Sequence, residues 1–155
     1  MRIFDCEIRI DENSRWFFRG NEIIHENVLR HFKENLGEDE KGIFILNQYG
    51  DLTEKGYLYS EGFPLRLVSI SGKSFFDETG KEYSADGFIF YENSRFGVFA
   101  STERKKIFFS LSRDFCGAMS SFMEEEGGEV FLKLGDSKIR IQEFEGKITV
   151  NVPDL

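Results

Sequence analysis

Two cysteines, two histidines and one tryptophan are spread over 155 residues. Cys6 and Cys116 are far apart and form no C-x-x-C pair, so the reading is a reduced, cytosolic protein without a disulfide framework. His25 and His31 are six residues apart in a helical stretch, about 600° of rotation, and so lie on different faces. Neither has a second His or Cys nearby to complete a coordination set, and no metal or cofactor is expected. No apolar run approaches the roughly 18 residues of a membrane helix. Met1-Arg2-Ile3-Phe4-Asp5 reads as the start of a strand, not as a secretion signal. Basic charge is short as well. The net charge is −8, shared about equally between residues 1–72 and 73–155. Nucleic-acid affinity comes from Lys and Arg on phosphates, so an evenly acidic chain argues against nucleic acid and against anionic membranes. The one basic cluster, Arg104-Lys105-Lys106, falls in a turn and reads as solvated.

Several catalytic signatures are missing too. Ser71-Gly72-Lys73-Ser74 has the end of a phosphate-binding loop, but Leu67 stands where that loop needs its first Gly. There is no Gly-x-Ser-x-Gly elbow. Asp77-Glu78-Thr79-Gly80 is too short for a calcium loop. Ser112-Arg113-Asp114-Phe115-Cys116-Gly117 puts a hydroxyl, a carboxylate and a thiol at a helix start, where a thiolate would be stabilised. Cys116 also lies beside Phe115 and Met119, and a small buried hydrophobe is the competing reading.

Phenylalanine is abundant, with 18 residues. Because Phe alternates with polar residues, a Phe-packed β core is expected, with an exposed Phe interface as the rival. Phe4 to Ile10 alternates with period two and reads as a half-buried strand. Residues 25–36 switch to a helical period, with Val28, Leu29, Phe32 and Leu36 on one stripe. Ile24 and Leu29 suit a hydrophobic staple, Gly37 a left-handed helix end, and Glu26 with Arg30 an ion pair. A second helix is expected from Arg113 to about Glu125, capped by Ser112, with Phe115, Met119, Phe122 and Met123 as its stripe. Glu124-Glu125-Glu126 would then sit unfavourably at a helix C-terminus. Further strands are expected at 15–19, 43–46, 57–59, 65–70, 88–91, 96–100, 106–111, 129–134, 138–144 and 147–152. The class is α+β with mainly antiparallel strands and two short helices.

Glu-Asn-Ser-Arg occurs twice, at 12–15 and 92–95, each time between an apolar run and an aromatic residue. Both copies read as hairpin turns. Two repeated halves, 1–72 and 73–155 packed as one unit, and chance recurrence of common turn formers are both open here. A shared strand order around the two copies separates them.

Ile10, Asp11, Trp16, Gly20 and Ile23 match the I-D-x-x-G-x-W-x-x-x-G-x-x-I opening of a bacterial family known only as domain of unknown function 1285, with Ser14 at its glycine. Ser60-Glu61-Gly62-Phe63-Pro64 is similar to that family's acidic V-E-D-x-P-F segment with the proline displaced. The chain therefore resembles the family over about residues 7–70. The resemblance implies repeated α+β motifs and no established activity, with a signalling or ligand-binding role as the suggestion attached to it.

The function expected is a non-enzymatic binding or regulatory module. Its partner would be another protein or a second copy of itself, with a small anionic ligand as a further candidate. Arg15, Trp16, Arg95 and Phe96 are the candidate ligand-binding residues, because two equivalent hairpins would each present an Arg beside an aromatic. The alternative is a hydrolase or lyase that uses carboxylates or Cys116.

Overall fold

Alternation of apolar and polar residues builds strand β1 (Arg2–Ile10), in which Ile8 and Ile10 are buried and Arg9 between them is exposed. The computed structural model describes residues 1–155. β1 turns back through residues 11–15 into β2 (Trp16–Phe18), with Ile10 opposite Trp16. Arg19 and Gly20, both at positive φ, then form the tight turn into β3 (Asn21–Glu22), the handedness that suits a two-residue hairpin. Helix α1 (Glu26–Glu34) follows, then β4 (Leu36–Glu38), β5 (Ile43–Tyr49) and β6 (Leu52–Ser60). β6 is antiparallel to β5 and parallel to β1. The sheet order is β3-β2-β1-β6-β5-β4. A parallel pair needs a long crossover, and here it runs through α1, β4 and β5. Ile10, Ile43, Ile45 and Leu58 form the core, each at most 2% exposed.

The second sheet holds β7 (Leu65–Ser71), β8 (Ser74–Asp77), β9 (Glu82–Ser84), β10 (Phe88–Asn93), β11 (Gly97–Thr102) and β12 (Phe108–Leu111). Helix α2 (Arg113–Ser120) is followed by β13 (Met123–Glu126), β14 (Glu129–Leu134) and β15 (Ser137–Glu143). The order is β13-β14-β15-β10-β11-β12-β7-β8-β9. Phe88 and Phe90 on one face of β10 meet Phe75 edge to face, at 5.4 and 5.7 Å. Tyr91 on the other face meets Phe99 and Phe144. Aromatic cores thus occupy both faces of β10, and of the phenylalanines only Phe18 and Phe122 are exposed. The abundance of Phe is mainly a matter of core filling.

Two compact units result, Met1–Pro64 with Lys147–Leu155, and Leu65–Gly146. Residues 65–72, placed with the first half by sequence, fall in the second unit, where β7 pairs with β8 and β12. The run β10-β11-β12-α2-β13-β14-β15 has the same order and the same strand senses as β1-β2-β3-α1-β4-β5-β6. In each, the first and last strands are parallel and the other neighbours antiparallel. The shared strand order is the outcome that duplication requires. The helices begin at 26 and 113, off the spacing of the two tetrapeptides, because the β11–β12 hairpin is longer than β2–β3.

Several local expectations are corrected. α1 ends at Glu34 with Asn35 as its C-terminal cap, and Gly37 lies within β4, where a Cβ would come 2.6 Å from the Phe44 ring. Close packing, not a left-handed helix end, explains that glycine. Ile24 is 78% exposed and staples nothing, and the ion pair on α1 joins Arg30 to Glu34. Ser112 does cap α2, accepting the N–H of Phe115. The helix stops at Ser120, however, and Met123–Glu126 form an edge strand. The three glutamates therefore do not oppose a helix dipole: Lys133 pairs with Glu124 and Glu126 from the neighbouring strand. Of the strand expected at 147–152, only a bridge between Ser60 and Val150 forms.

Candidate functional site

The first Glu-Asn-Ser-Arg turn is organised by Asp11. Its Oδ1 accepts the N–H groups of Asn13 and Arg15, both at 2.9 Å, and its Oδ2 accepts from Arg15 Nε. Burial opposes ionisation of Asp11, but these bonds outweigh it and hold the carboxyl below its usual range. Ser14 takes a positive φ, and its Oγ accepts the N–H of Phe63 at 2.9 Å. The chain leaving β6 thus crosses the turn. The N–H of Glu61 donates to the Ile10 carbonyl at 3.0 Å. Gly62 then passes so close that a Cβ would lie 2.2 Å from the Asp11 carbonyl oxygen. This hairpin is closed by its own chain.

At the second copy, Asn93 pairs with Gly97 and leaves a shorter loop of residues 94–96. Asn93 Oδ1 accepts the N–H of Phe96 at 2.7 Å. The N–H of Phe144 donates to the Glu92 carbonyl at 2.9 Å, which matches the Glu61–Ile10 bond of the first unit. Beyond that bond the two hairpins differ. Where Gly62 and Phe63 fill the first, the second is a cleft of about 420 Å³ lined by Glu92, Asn93, Ser94, Glu143, Phe144 and Glu145. The Phe144 ring is locked edge to face against Tyr91 and Phe99, both at 5.1 Å, which makes that wall rigid. Glu92 and Glu143 are register partners on parallel strands. Like charges side by side are unfavourable, and a cation placed between them relieves the repulsion.

The four residues singled out in the sequence are used unequally. Arg15 is ion-paired to Asp11 and lies over Phe17, not over Trp16. Trp16 is 2% exposed and stacks on Phe32 of α1. Its Nε1 is buried without a hydrogen-bond partner. Arg95 lies over the Phe96 ring at 4.9 Å, on the same loop that borders the cleft. Each hairpin belongs to its own unit. Glu143, Phe144 and Glu145 carried no signal in the sequence, because the parallel pairing of β15 with β10 alone brings them to residues 92–94.

Other polar clusters hold turns. Asp39 accepts from Lys55 Nζ at 2.8 Å, from Tyr57 OH at 2.6 Å, and from the N–H groups of Lys41 and Gly42. Burial again opposes ionisation, yet these donors hold the carboxyl well below the usual range. Buried Asp77 likewise accepts from Thr79, Lys81 and Tyr83. Cys116 is exposed, which corrects the buried-hydrophobe reading: one residue past Phe115, it is turned about 100° off the buried stripe. Cys6 is the more enclosed thiol, pushed up to about 11 by burial. No helix is long and apolar enough to cross a membrane.

Among solved structures, the chain is similar to a DUF1285 family protein from Silicibacter pomeroyi DSS-3. The TM-score is 0.63 at 16% identity, over 88% of this chain and 80% of that one. A second DUF1285 family protein, from Shewanella baltica OS155, aligns at a TM-score of 0.47 and 13% identity, over 74% of this chain and 91% of the other. No protein-family model and no curated protein matches the chain. At such identity the first likeness establishes a shared fold. It extends over most of the chain, well past the residues 7–70 that carry the resemblance in sequence.

Proposed function

We propose that this chain is a non-enzymatic binding module whose cleft beside the second Glu-Asn-Ser-Arg hairpin receives a cationic group. The observation that carries this reading is the cleft itself, which is lined by Glu92, Glu143 and Glu145. Carboxylates favour an ammonium or guanidinium there. The lining thus reverses the sign of ligand that Arg15 and Arg95 suggested. The carboxylates of Asp39 and Asp77, by contrast, have acceptor positions taken up in holding local turns. A cytosolic setting, consistent with two free thiols, belongs to the same proposal.

Titration of the amide spectrum with agmatine, a guanidinium with a primary amine and no peptide group, tests it. Shifts are expected at residues 92–96 and 143–146. The double variant Glu92→Gln, Glu143→Gln is expected to weaken binding at least tenfold. Agmatine that shifts no resonance there, or a double variant that binds equally well, overturns the reading.

A further inference from the structure

The second sheet continues past the strand at which the first one stops. β12 is followed by β7, parallel to it, with Phe109, Ser110 and Leu111 beside Leu65, Arg66 and Leu67. α2 packs against β7 and buries Phe115 and Met119. In the first unit β3 holds the place of β12 and is the last strand of its sheet. The two edges align residue by residue. The carbonyls of Ile10 and Glu92 accept the matched N–H groups of Glu61 and Phe144. Two residues earlier stand Ile8 and Phe90, opposite Phe18 and Ala100, which in turn face Asn21 and Phe109. Glu22 therefore corresponds to Ser110, and Ile24 to Ser112. The Ser112 N–H donates to the Leu67 carbonyl of β7 at 2.9 Å. The Ile23 N–H donates inward, to the Trp16 carbonyl at 2.8 Å. Main-chain groups of Glu22 and Ile24, on either side of it, therefore face the open edge, as those of Ser110 and Ser112 face β7. α1 buries no residue, and Phe18 opposite the edge, Ile24 just past it and Val28 on the helix after it are all exposed.

We infer that the β3 edge takes an extended segment of a partner protein as a parallel strand, in the place that β7 fills in the second unit. β7 also shows what that segment carries. Its Leu65 and Leu67 are buried, and Arg66 between them is exposed. Trp16 stacks on Phe32 of α1, and Phe18 and its partner Asn21 share that face of the sheet. The occupant therefore sets apolar side chains beside Asn21 and Ile23, on the α1 side, and a basic side chain beside Glu22 on the other face. Glu22 stands where the second unit has Ser110, and its carboxylate can make a cross-strand ion pair that a serine cannot. An unpaired edge is a template for another chain. In such strand addition the main chain supplies affinity and the alternate side chains supply selectivity. This surface belongs to the first unit, and the inference does not depend on the cation reading of the cleft.

The probe is the capped peptide acetyl-Pro-Leu-Arg-Leu-Val-Ser-amide, which copies residues 64–69. In β7 the Leu67 main chain faces β12, whereas the Arg66 carbonyl faces the other way and accepts the N–H of Glu78 at 2.9 Å. N-methylation of the second leucine therefore removes a bond to β3, and N-methylation of the arginine removes none. In an amide-spectrum titration of the full chain, shifts are expected at residues 21–28. Methylation of the second leucine is expected to weaken binding about fivefold, the loss of one net hydrogen bond, and methylation of the arginine to leave it unchanged. Glu22 is exposed, so Glu22→Lys leaves the core intact; that variant is expected to bind the peptide more weakly and to prefer one with Glu in place of Arg. No shift at residues 21–28, equal binding by the two methylated peptides, or equal shifts along the β9 or β13 edge overturns the inference. Shifts of residues 21–28 on dilution of the protein alone would assign the edge to a second copy of this chain, and would overturn it as well.

Discussion

Gly62→Ala tests how tightly the first hairpin is closed by the chain that crosses it. The added methyl would lie 2.2 Å from the Asp11 carbonyl oxygen, 3.0 Å from Ser14 Oγ and 3.1 Å from Ser14 N. The nearest of these atoms is backbone, and that carbonyl already accepts the N–H of Ser14 within the turn. No side chain can swing away, so the crossing segment must lift. Overpacking of this kind costs about 1–3 kcal/mol, and losing the Phe63–Ser14 bond adds about 1 kcal/mol. For a chain of this size, the sum of about 2–4 kcal/mol lowers the melting midpoint by roughly 5–15 °C. Emission from Trp16, the single tryptophan and 2% exposed, reports the unit that contains Gly62. Gly87→Ala is the control, since nothing lies within 4 Å of its added methyl. Gly37→Ala is a graded comparison, because its clash is with the Phe44 ring, which can move. A Gly62→Ala protein that melts with the Gly87→Ala control would show that the crossing is loose and refute the close approach of Gly62 to Asp11.

Two further outcomes follow from Asp39 and the two thiols. Asp39→Ala leaves four donors without their acceptor and is expected to cost roughly 1–3 kcal/mol in denaturant unfolding. The depressed carboxyl makes this contribution full above its ordinary pKa of about 3.9 and lost as pH falls through the lower folded value. The stability gap between the wild type and Asp39→Ala should therefore narrow below about pH 4, and a gap that widens in acid would contradict the assignment. Iodoacetamide near pH 8, read by peptide mass, should modify exposed Cys116 and spare Cys6; labelling of Cys6 first would overturn its burial.

Residue periodicity and turn chemistry determined much of the local structure without help from the fold. The alternation in 4–10, the turn formers at 11–15 and the Ser112 cap act within a few residues, and each formed where the sequence placed it; of the stripe expected on α1, Val28 is exposed and Leu36 belongs to β4. Composition likewise determined a Phe-filled, mainly antiparallel α+β class. Local signals failed where packing competed with them. Phe122 and Met123 continue the period of α2, yet pairing of β13 with β14 draws Met123 into an edge strand opposite Leu132. Residues 52–56 look too polar for a strand, yet they form the start of β6 because β1 and β5 flank them on both sides. The cleft is the clearest case. Glu-Asn-Ser-Arg announced both turns, but its two copies differ in loop length and in what crosses them. That difference depends on a parallel register that sets Glu92 beside Glu143. Register over such a separation is decided by which faces are buried, so only the tertiary structure could show that one repeat is filled and the other open.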